Sequence, residues 1–195
     1  VVASLSTGIL AWFAVSGLLT LYHERLPDRD LLTELSTANF ELCMSDARIL
    51  DEMGQYAQAA MKVEAASKIA PSREQKLDAL FEEVHVLTHL LSPDTPEHER
   101  NMLFDAANEF LKHAHDDPRR LEVIRCKAAV YENQGMTRAA YDTYRNALPN
   151  DGNVSEYDAV LLKIGELGVK VGRYDDAASY LLWLLDECPQ SSLRH

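Results

Sequence analysis

The sequence predicts an all-α protein, in which one N-terminal transmembrane helix precedes a short α-solenoid of about four helical hairpins. Three observations lead to this prediction. Residues 1–22 of the 195-residue chain carry no charged side chain. A phrase of glycine and alanine at helical spacing occurs three times in the remainder. Between the turn signals, apolar residues recur at helical spacing, and no stretch alternates in the way that a half-buried strand does.

The predicted transmembrane helix covers residues 1–22. A helix of that length spans about 33 Å, whereas the hydrocarbon core of a bilayer is about 30 Å thick. Small residues recur every four positions and would let a second membrane helix pack closely. They are Ala3, Thr7 and Ala11 on one line, and Ser4 and Gly8 on another. We therefore expect a single-pass membrane protein that contacts the lipid bilayer; the side of the membrane that holds the solenoid stays open.

Two other interpretations of this segment remain. A cleavable signal peptide would have a basic start and a small-x-small cleavage site, and the visible start has no lysine or arginine. Alternatively, the segment is a helix buried in a partner or a dimer, and the chain is a soluble adaptor. Residues 23–39 are expected to form a charged connector with a lead-in helix, because Leu31, Leu32 and Leu35 could pack on the first repeat.

The repeated phrase defines the units of the solenoid. It reads Gly54-x-Tyr56-x-x-Ala59 in the first copy, Gly135-x-Thr137-x-x-Ala140-x-x-x-Tyr144 in the second and Gly172-x-Tyr174-x-x-Ala177 in the third. Glycine favours the left-handed backbone angles that are needed where a helix ends and the chain reverses. The residues after it form one stripe of a second helix.

Two further features complete each unit. A small residue lies seven positions before the glycine, at Ala47, Ala128 or Gly165, and would let the two helices of a hairpin pack closely. A proline, Pro71 or Pro189, closes the first and last copies and ends the second helix. Such a hairpin cannot cover its own apolar face, so it must stack on its neighbours.

These residues resemble the tetratricopeptide repeat family over residues 40–192. The units that the resemblance implies lie at about 40–73, 74–120, 121–154 and 158–191. The second is degenerate: a helix over about 73–91 is expected to begin at Ser72, with Gln75 completing a capping box. An enlarged loop at residues 92–100 replaces the turn glycine. The following helix carries Ala106 and Phe110 at the usual spacing before Pro118.

The resemblance also implies a partner-binding groove, because the first helices of successive units usually line one in this family. The implied groove residues are Glu41, Met44, Arg48 and Asp51 in the first unit, Glu122, Arg125, Ala129 and Glu132 in the third, and Leu162, Glu166 and Val169 in the fourth. They do not reproduce the Lys/Asn set with which co-chaperone members hold a peptide carboxylate. A mixed acidic and apolar groove suits a helix or an extended segment of a partner, or a neighbouring subunit.

The composition of the chain argues against several classes of binding site. The formal net charge is −12, from 31 acidic and 19 basic residues, which argues against binding to nucleic acid. The acidic pairs are expected to be solvated helix faces rather than calcium sites. They are Glu82-Glu83, Asp116-Asp117, Asp175-Asp176 and Asp186-Glu187. Three widely spaced cysteines do not form a disulfide framework, although one bridge remains possible.

No catalytic motif is present, so an enzyme, a cofactor and a small-molecule substrate are not expected. One alternative is a metal-binding protein that uses His85 and His89, which are four residues apart on one helix. A further ligand would come from His113 or His115, which lie three or more turns away at the opposite end of that hairpin, or from His98 in the loop; the distance weakens this alternative. The leading hypothesis is a membrane-anchored scaffold or adaptor, an accessory subunit or assembly factor whose partners are other protein subunits, membrane proteins among them.

Overall fold

The computed structural model describes residues 29–148 and 157–194, and within these ranges it contains eight α-helices and no strand. The helices are α1 (Arg29–Glu52), α2 (Tyr56–Ile69), α3 (Arg73–His89), α4 (Glu97–His113), α5 (Arg120–Asn133), α6 (Thr137–Arg145), α7 (Asp158–Lys170) and α8 (Tyr174–Glu187), and a 3-10 turn covers Ser192–Arg194. The predicted all-α class is confirmed for this part of the chain.

The predicted membrane span at residues 1–22, with its packing positions, lies outside the described residues. Among the helices of residues 29–148 and 157–194, none is both long enough and apolar enough to cross a bilayer. The first described helix, α1, passes without a break through residue 40, where the connector was expected to meet the first unit. It is continuous because no glycine or proline occurs between residues 29 and 52.

Helices that follow one another along the chain pack together, and α3 additionally contacts α5. The core is a series of apolar clusters rather than one centre. One cluster joins α1, α2 and the start of α3 through residues such as Phe40 and Val63. The largest joins α2 to α5 and includes Leu103 and Phe110, and another joins α5, α6 and α7 around Tyr141. Each helix is thus held by its neighbours in sequence.

A single arginine connects α3 to the segment between α4 and α5. The guanidinium of Arg119 lies 2.7 Å from Asp78 and 2.8 Å from Asp117, measured between nitrogen and carboxylate oxygen. Its central carbon lies 5.2 Å and 5.6 Å from the ring centroids of Phe81 and Phe110. The hydrogen bond from Arg119 lowers the pKa of Asp117, so this carboxylate remains charged. The arrangement combines ion pairs with cation–π contacts in one place.

Three helix ends share one geometry. α1, α5 and α7 are each followed by a glycine with left-handed φ, +72° at Gly54, +68° at Gly135 and +77° at Gly172. At each end the glycine N–H donates to the carbonyl three residues back, and the next N–H donates to the carbonyl five residues back, over 2.8–3.1 Å. This pair of bonds is the Schellman motif. The role predicted for the three glycines is confirmed.

Replacing Gly135 with alanine is expected to lower the free energy of unfolding by about 1–2 kcal/mol, because a Cβ disfavours the left-handed conformation. An added Cβ would have no atom within 4 Å, so the loss is conformational rather than steric. Gly135→Asn is the control and should lose less, since asparagine tolerates this region. Urea unfolding measures both variants. An alanine variant as stable as the wild type would contradict the assignment of the helix end.

Close packing at the small positions is also confirmed. Ala47 and Ala128 are buried, and a Cβ on Gly165 would lie 2.5 Å from Cδ2 of Leu181. One turn further, a Cβ on Gly168 would lie 3.0 Å from the Cβ of Ala177. α7 and α8 therefore approach to a distance that side chains at these positions would prevent. The buried signature residues are Ala47, Ala59, Ala106, Phe110, Ala128, Ala140, Tyr144, Gly165 and Ala177.

The aromatic residue after the turn glycine behaves differently in the first and last copies. Tyr56 is half-buried against the ring of His89, with centroids 4.8 Å apart. Tyr174 is instead 67% exposed. The reason is that α3 follows α2 and covers Tyr56, whereas the described residues include no α-helix after α8 to cover Tyr174. The prolines Pro71, Pro118 and Pro189 lie beyond the ends of α2, α4 and α8.

The connection between α3 and α4 is shorter than predicted. α3 begins as expected, with Ser72 Oγ accepting the N–H of Gln75 at 3.2 Å and donating to its Oε1 at 2.8 Å. However, α4 begins at Glu97, so residues 97–100 of the predicted loop are helical. Pro96 immediately precedes the helix, and acidic residues in the first turn complement the helix dipole.

A buried threonine organises this connection in place of glycine. Thr95 Oγ1 donates to the carbonyl of Leu90 at 2.7 Å and accepts the N–H of Ser92 at 2.6 Å. The guanidinium of Arg100 donates to the carbonyl of Thr95. The side chain of Thr95 is only 4% exposed, so these bonds satisfy polar groups that water cannot easily reach.

Candidate functional site

An open cavity with a mixed lining lies between α5 and α7 and has a volume of about 630 Å³. We call it the α5–α7 groove. Five residues predicted for the partner-binding groove line it: Glu122, Arg125, Ala129, Glu132 and Leu162. The other lining residues are Thr88, Cys126, Asn133, Tyr144, Ala159, Lys163 and Leu193. The size is that of a site for a peptide side chain or a short segment.

Helical spacing explains why these residues share one wall. On α5 the positions 122, 125, 126, 129, 132 and 133 follow the three-and-four spacing that places side chains on a single face. The opposite face of the same helix carries Val123, Ile124, Ala128 and Val130, all buried in the core. The core thus fixes the rotation of α5 and points the polar wall outward.

The charges of the α5–α7 groove fall into two groups. Glu132 is engaged, because its carboxylate lies 3.2 Å from Nζ of Lys163 and accepts the hydroxyl of Tyr144 at 3.3 Å. Glu122 and Arg125 are exposed and form no ion pair within residues 29–148 and 157–194. The groove therefore presents one carboxylate and one guanidinium that a bound segment can pair with.

Two side chains of the groove that could act as nucleophiles, Tyr144 and Cys126, are held in their protonated forms. Burial, followed by the neighbouring charge of Glu132 and the hydrogen bond to it, raises the pKa of Tyr144. Burial also raises the pKa of Cys126, although a hydrogen bond with Thr88 offsets part of that increase. A nucleophile at this place would require the thiolate or phenolate. Near neutral pH both groups therefore keep their protons.

The remaining predicted groove residues lie elsewhere. Glu166 and Val169 are exposed on α7 outside the cavity lining, with Glu166 3.8 Å from Nζ of Lys163. In the first unit, Met44 is buried in the core, so it does not line an open surface. The reason is that the α1 face carrying Met44 is covered by α2 and α3.

Glu41 and Arg48 are exposed on α1, whereas Asp51 is half-buried. Beside Arg48 and Asp51 the space between α1 and α3 is about 20 Å³, roughly the room for one water molecule. Oδ1 of Asp51 accepts no hydrogen bond from the described residues, and its nearest basic atom is Nδ1 of His89 at 3.5 Å. The structure therefore separates the first-unit set from the α5–α7 groove.

The rings of the two histidines of the metal alternative pack edge to face within an aromatic cluster. The ring centroids of His85 and His89 are 4.9 Å apart with planes at 65°, and Phe81 and Tyr56 pack on their outer sides. His113 lies at the other end of α3, where its carbonyl accepts from Arg73. Within residues 29–148 and 157–194, no three histidine, cysteine or acidic side chains are placed to hold a metal ion.

One acidic pair contradicts the expectation of a solvated helix face. Glu82 is half-buried, but Glu83 is only 5% exposed. α2 and α4 pack on both sides of α3, so the covered part of this helix extends further around than on a surface helix. Burial, and then the negative charge of Glu64, raises the pKa of Glu83 to about 7. Helical spacing places Glu83, and not the half-buried Glu82, on the apolar face of α3, so periodicity could have indicated this burial.

Sequence reasoning missed several residues of the α5–α7 groove. Lys163 follows the predicted Leu162 and lies on the same wall, so helical spacing could have identified it. Tyr144 was expected only as a packing residue, yet its hydroxyl reaches Glu132. Thr88 and Leu193 come from α3 and the 3-10 turn, and no local pattern connects them with α5.

Comparison with known proteins adds no relative. No protein-family model matches the chain, and no curated protein matches it either. The resemblance to tetratricopeptide repeats therefore depends on the repeated phrase.

Proposed function

We propose that this chain is a membrane-anchored scaffold or adaptor of the tetratricopeptide type, an accessory subunit or assembly factor that binds another protein in the α5–α7 groove. The observation that carries the proposal is the lining of that groove. Glu122 and Arg125 are exposed and unpaired among the described residues, and they lie beside the apolar surface of Ala129 and Leu162. Such a surface suits a protein segment that carries both charges around a small apolar residue.

The helical pairs support the repeat part of the proposal. Successive helices pack together, and α1, α5 and α7 end in the same Schellman geometry before their partner helices. In addition, α3 contacts α5, as first helices of adjacent repeats do in a solenoid. Stacking of this kind joins neighbouring units into one extended surface, which is the usual basis of scaffold function.

The membrane part of the proposal comes from residues 1–22, whose length and lack of charge match a bilayer span. An anchor would hold a bound protein close to the membrane. Accessory subunits and assembly factors of membrane complexes need this property, since it raises the effective concentration of the two partners. An N-terminal helix buried in a partner is the alternative, and carbonate extraction separates the two cases.

The test combines extraction with purification from the native source. Membranes are first washed with carbonate, which should leave the full chain in the pellet. From a separate membrane sample without the carbonate wash, which would strip bound proteins, the chain is purified in mild detergent and its partners are identified by mass spectrometry. Ala129→Trp fills the α5–α7 groove and Arg125→Glu reverses its free positive charge, so each should lower recovery of the same partner by about tenfold.

The matched control is Ala178→Trp, which adds the same bulk at an exposed position of α8 outside the groove. It should retain the partner at the wild-type level. Circular dichroism of all variants checks that the fold persists. Release of the chain by carbonate would overturn the anchor, and full partner recovery with both groove variants would overturn the binding site.

A further inference from the structure

The outer face of α1 carries an apolar stripe that no described residue covers. Leu35, Leu42 and Ile49 recur every seven residues and are 58%, 61% and 54% exposed. The small residues Ala38 and Ser45 lie between them and are exposed as well. We call these five residues the α1 stripe. Its spacing is the heptad spacing of helices that pack against a second helix.

The opposite face of α1 is buried against other helices. Phe40, Met44 and Ala47 are buried against α2 and α3, half a turn away from the stripe. The stripe is therefore not a poorly packed part of the core. Scattered exposed apolar residues need no explanation, but a stripe that follows one line for 14 residues, about 21 Å of helix, does.

We propose that the α1 stripe is the interface of a homodimer, in which the α1 helices of two copies of this chain pack antiparallel. The alternation of large and small residues favours this arrangement. In an antiparallel register centred between residues 42 and 45, Leu42 meets Ser45 of the second copy, and Ile49 meets its Ala38. Leu42 and Ile49 then each occupy the space left by a small side chain, as close packing requires, and Leu35 lies beside Glu52 of the second copy. The proposal is independent of the α5–α7 groove.

The charges beside the stripe select the orientation. Glu41 and Arg48 are exposed on the same edge, and neither forms an ion pair with any described residue. In the antiparallel register Glu41 of one copy faces Arg48 of the other, and two-fold symmetry forms this pair twice. In a parallel dimer Glu41 would instead face Asp46 of the second copy, which Lys62 already pairs at 2.7 Å, and Arg48 would face Met53, so neither would gain an ion pair. Charge complementarity thus favours the antiparallel dimer.

The outer face of α8 is a second exposed apolar surface, and a head-to-tail contact between α8 and α1 is the competing arrangement. Leu182 and Leu185 are 58% and 40% exposed there. However, Asp186 and Glu187 lie on the same helix, and both are exposed. A head-to-tail contact would bring an acidic helix against α1, on which the exposed Glu34, Glu41 and Glu52 outnumber Arg48. Contacts of that type also form larger rings or open filaments rather than a two-fold dimer.

The test is charge reversal and rescue in the full chain, purified in mild detergent and followed by sedimentation over a range of concentrations. Glu41→Arg and Arg48→Glu should each weaken dimerisation by about tenfold, because each creates two repulsive pairs. The double variant restores both pairs with exchanged signs and should recover the wild-type dimer. A variant that merely damaged the helix would not be rescued in this way.

A second measurement fixes the register. Chains carrying Ala38→Cys are mixed with chains carrying Ile49→Cys and oxidised, and the disulfide-linked peptides are mapped by mass spectrometry. A link between position 38 of one copy and position 49 of the other is expected. A monomeric wild type, a stronger dimer with Glu41→Arg, or growing assemblies that ignore both substitutions would overturn the proposal.

Discussion

Glu83→Gln is expected to stabilise the protein by about 2–3 kcal/mol at pH 8.5 and to change its stability by less than about 1 kcal/mol at pH 5. The carboxyl of Glu83 is buried on α3, and the negative charges of Glu64 and Asp105 face it from α2 and α4. Lys68 opposes them but is paired with Glu64 at 2.6 Å. The native state therefore favours the neutral acid, which glutamine imitates at every pH.

The sign of this pH dependence follows from the direction in which the pKa of Glu83 is shifted. The pKa of Glu83 is about 7 in the folded protein and 4.5 is its ordinary value, so the folded state binds the proton more tightly. The stability from the neutral form is complete below about pH 4.5 and is lost as the pH rises through 7. Urea unfolding of both chains at several pH values gives the difference directly.

Glu82→Gln is the matched control, because it removes a carboxylate from the adjacent, half-buried position of the same helix. Its effect on the free energy of unfolding should stay within about 0.5 kcal/mol. A Glu83→Gln variant whose difference from the wild type is the same at pH 5 and pH 8.5 would show that the carboxyl is solvated, contrary to the packing described above.

Phe110→Ala is expected to lower the free energy of unfolding by about 3–5 kcal/mol, the usual cost of removing a large aromatic side chain from a core. The ring of Phe110 is fully buried, and its centroid lies 6.1 Å from that of Phe81. The guanidinium of Arg119 covers it at 5.6 Å. Truncation would leave a cavity and remove one of the aromatic partners of Arg119, so α3, α4 and α5 would all lose contacts.

Two control variants test whether the loss is specific to the ring of Phe110. Phe110→Leu keeps most of the volume and should lose clearly less than the alanine variant. Asn101→Ala changes an exposed residue of the same helix and should be nearly silent. Thermal unfolding followed by circular dichroism orders the three variants. A loss below about 1 kcal/mol for Phe110→Ala would mean that the degenerate second unit does not pack around this ring.

The features that a short stretch of sequence encodes were predictable. The left-handed angles of Gly54, Gly135 and Gly172 follow from the backbone freedom of one residue type, and the cap at Ser72 follows from a local hydrogen bond. The start of α4 was misplaced, although Pro96 with Glu97 is itself a local helix-start signal. The start of α4 was placed too late because Pro93 and Pro96 are also typical of a loop.

The features that depend on distant packing were not predictable. Glu83 shares the apolar face of α3, but whether a carboxyl on that face is buried depends on the helices that pack over it. Similarly, Met44 was assigned to the groove by repeat position, but in the first unit that position faces the core. The α5–α7 groove gathers Thr88 and Leu193 from segments more than 100 residues apart. Such assembly is a property of tertiary structure.

Because α1 is one unbroken helix, its length and rotation determine how the rest of the domain is oriented relative to residue 29. Residues 29–52 form one helix of about 36 Å. A change in the length of this helix therefore rotates the rest of the domain about the helix axis as well as displacing it along the axis. One residue inserted between positions 30 and 34 would turn everything after it by about 100° around the helix axis and advance it by about 1.5 Å. Seven inserted residues would restore nearly the original heading and lift the domain by about 10 Å. The heading of the α5–α7 groove is thus encoded in the number of residues that lead up to it.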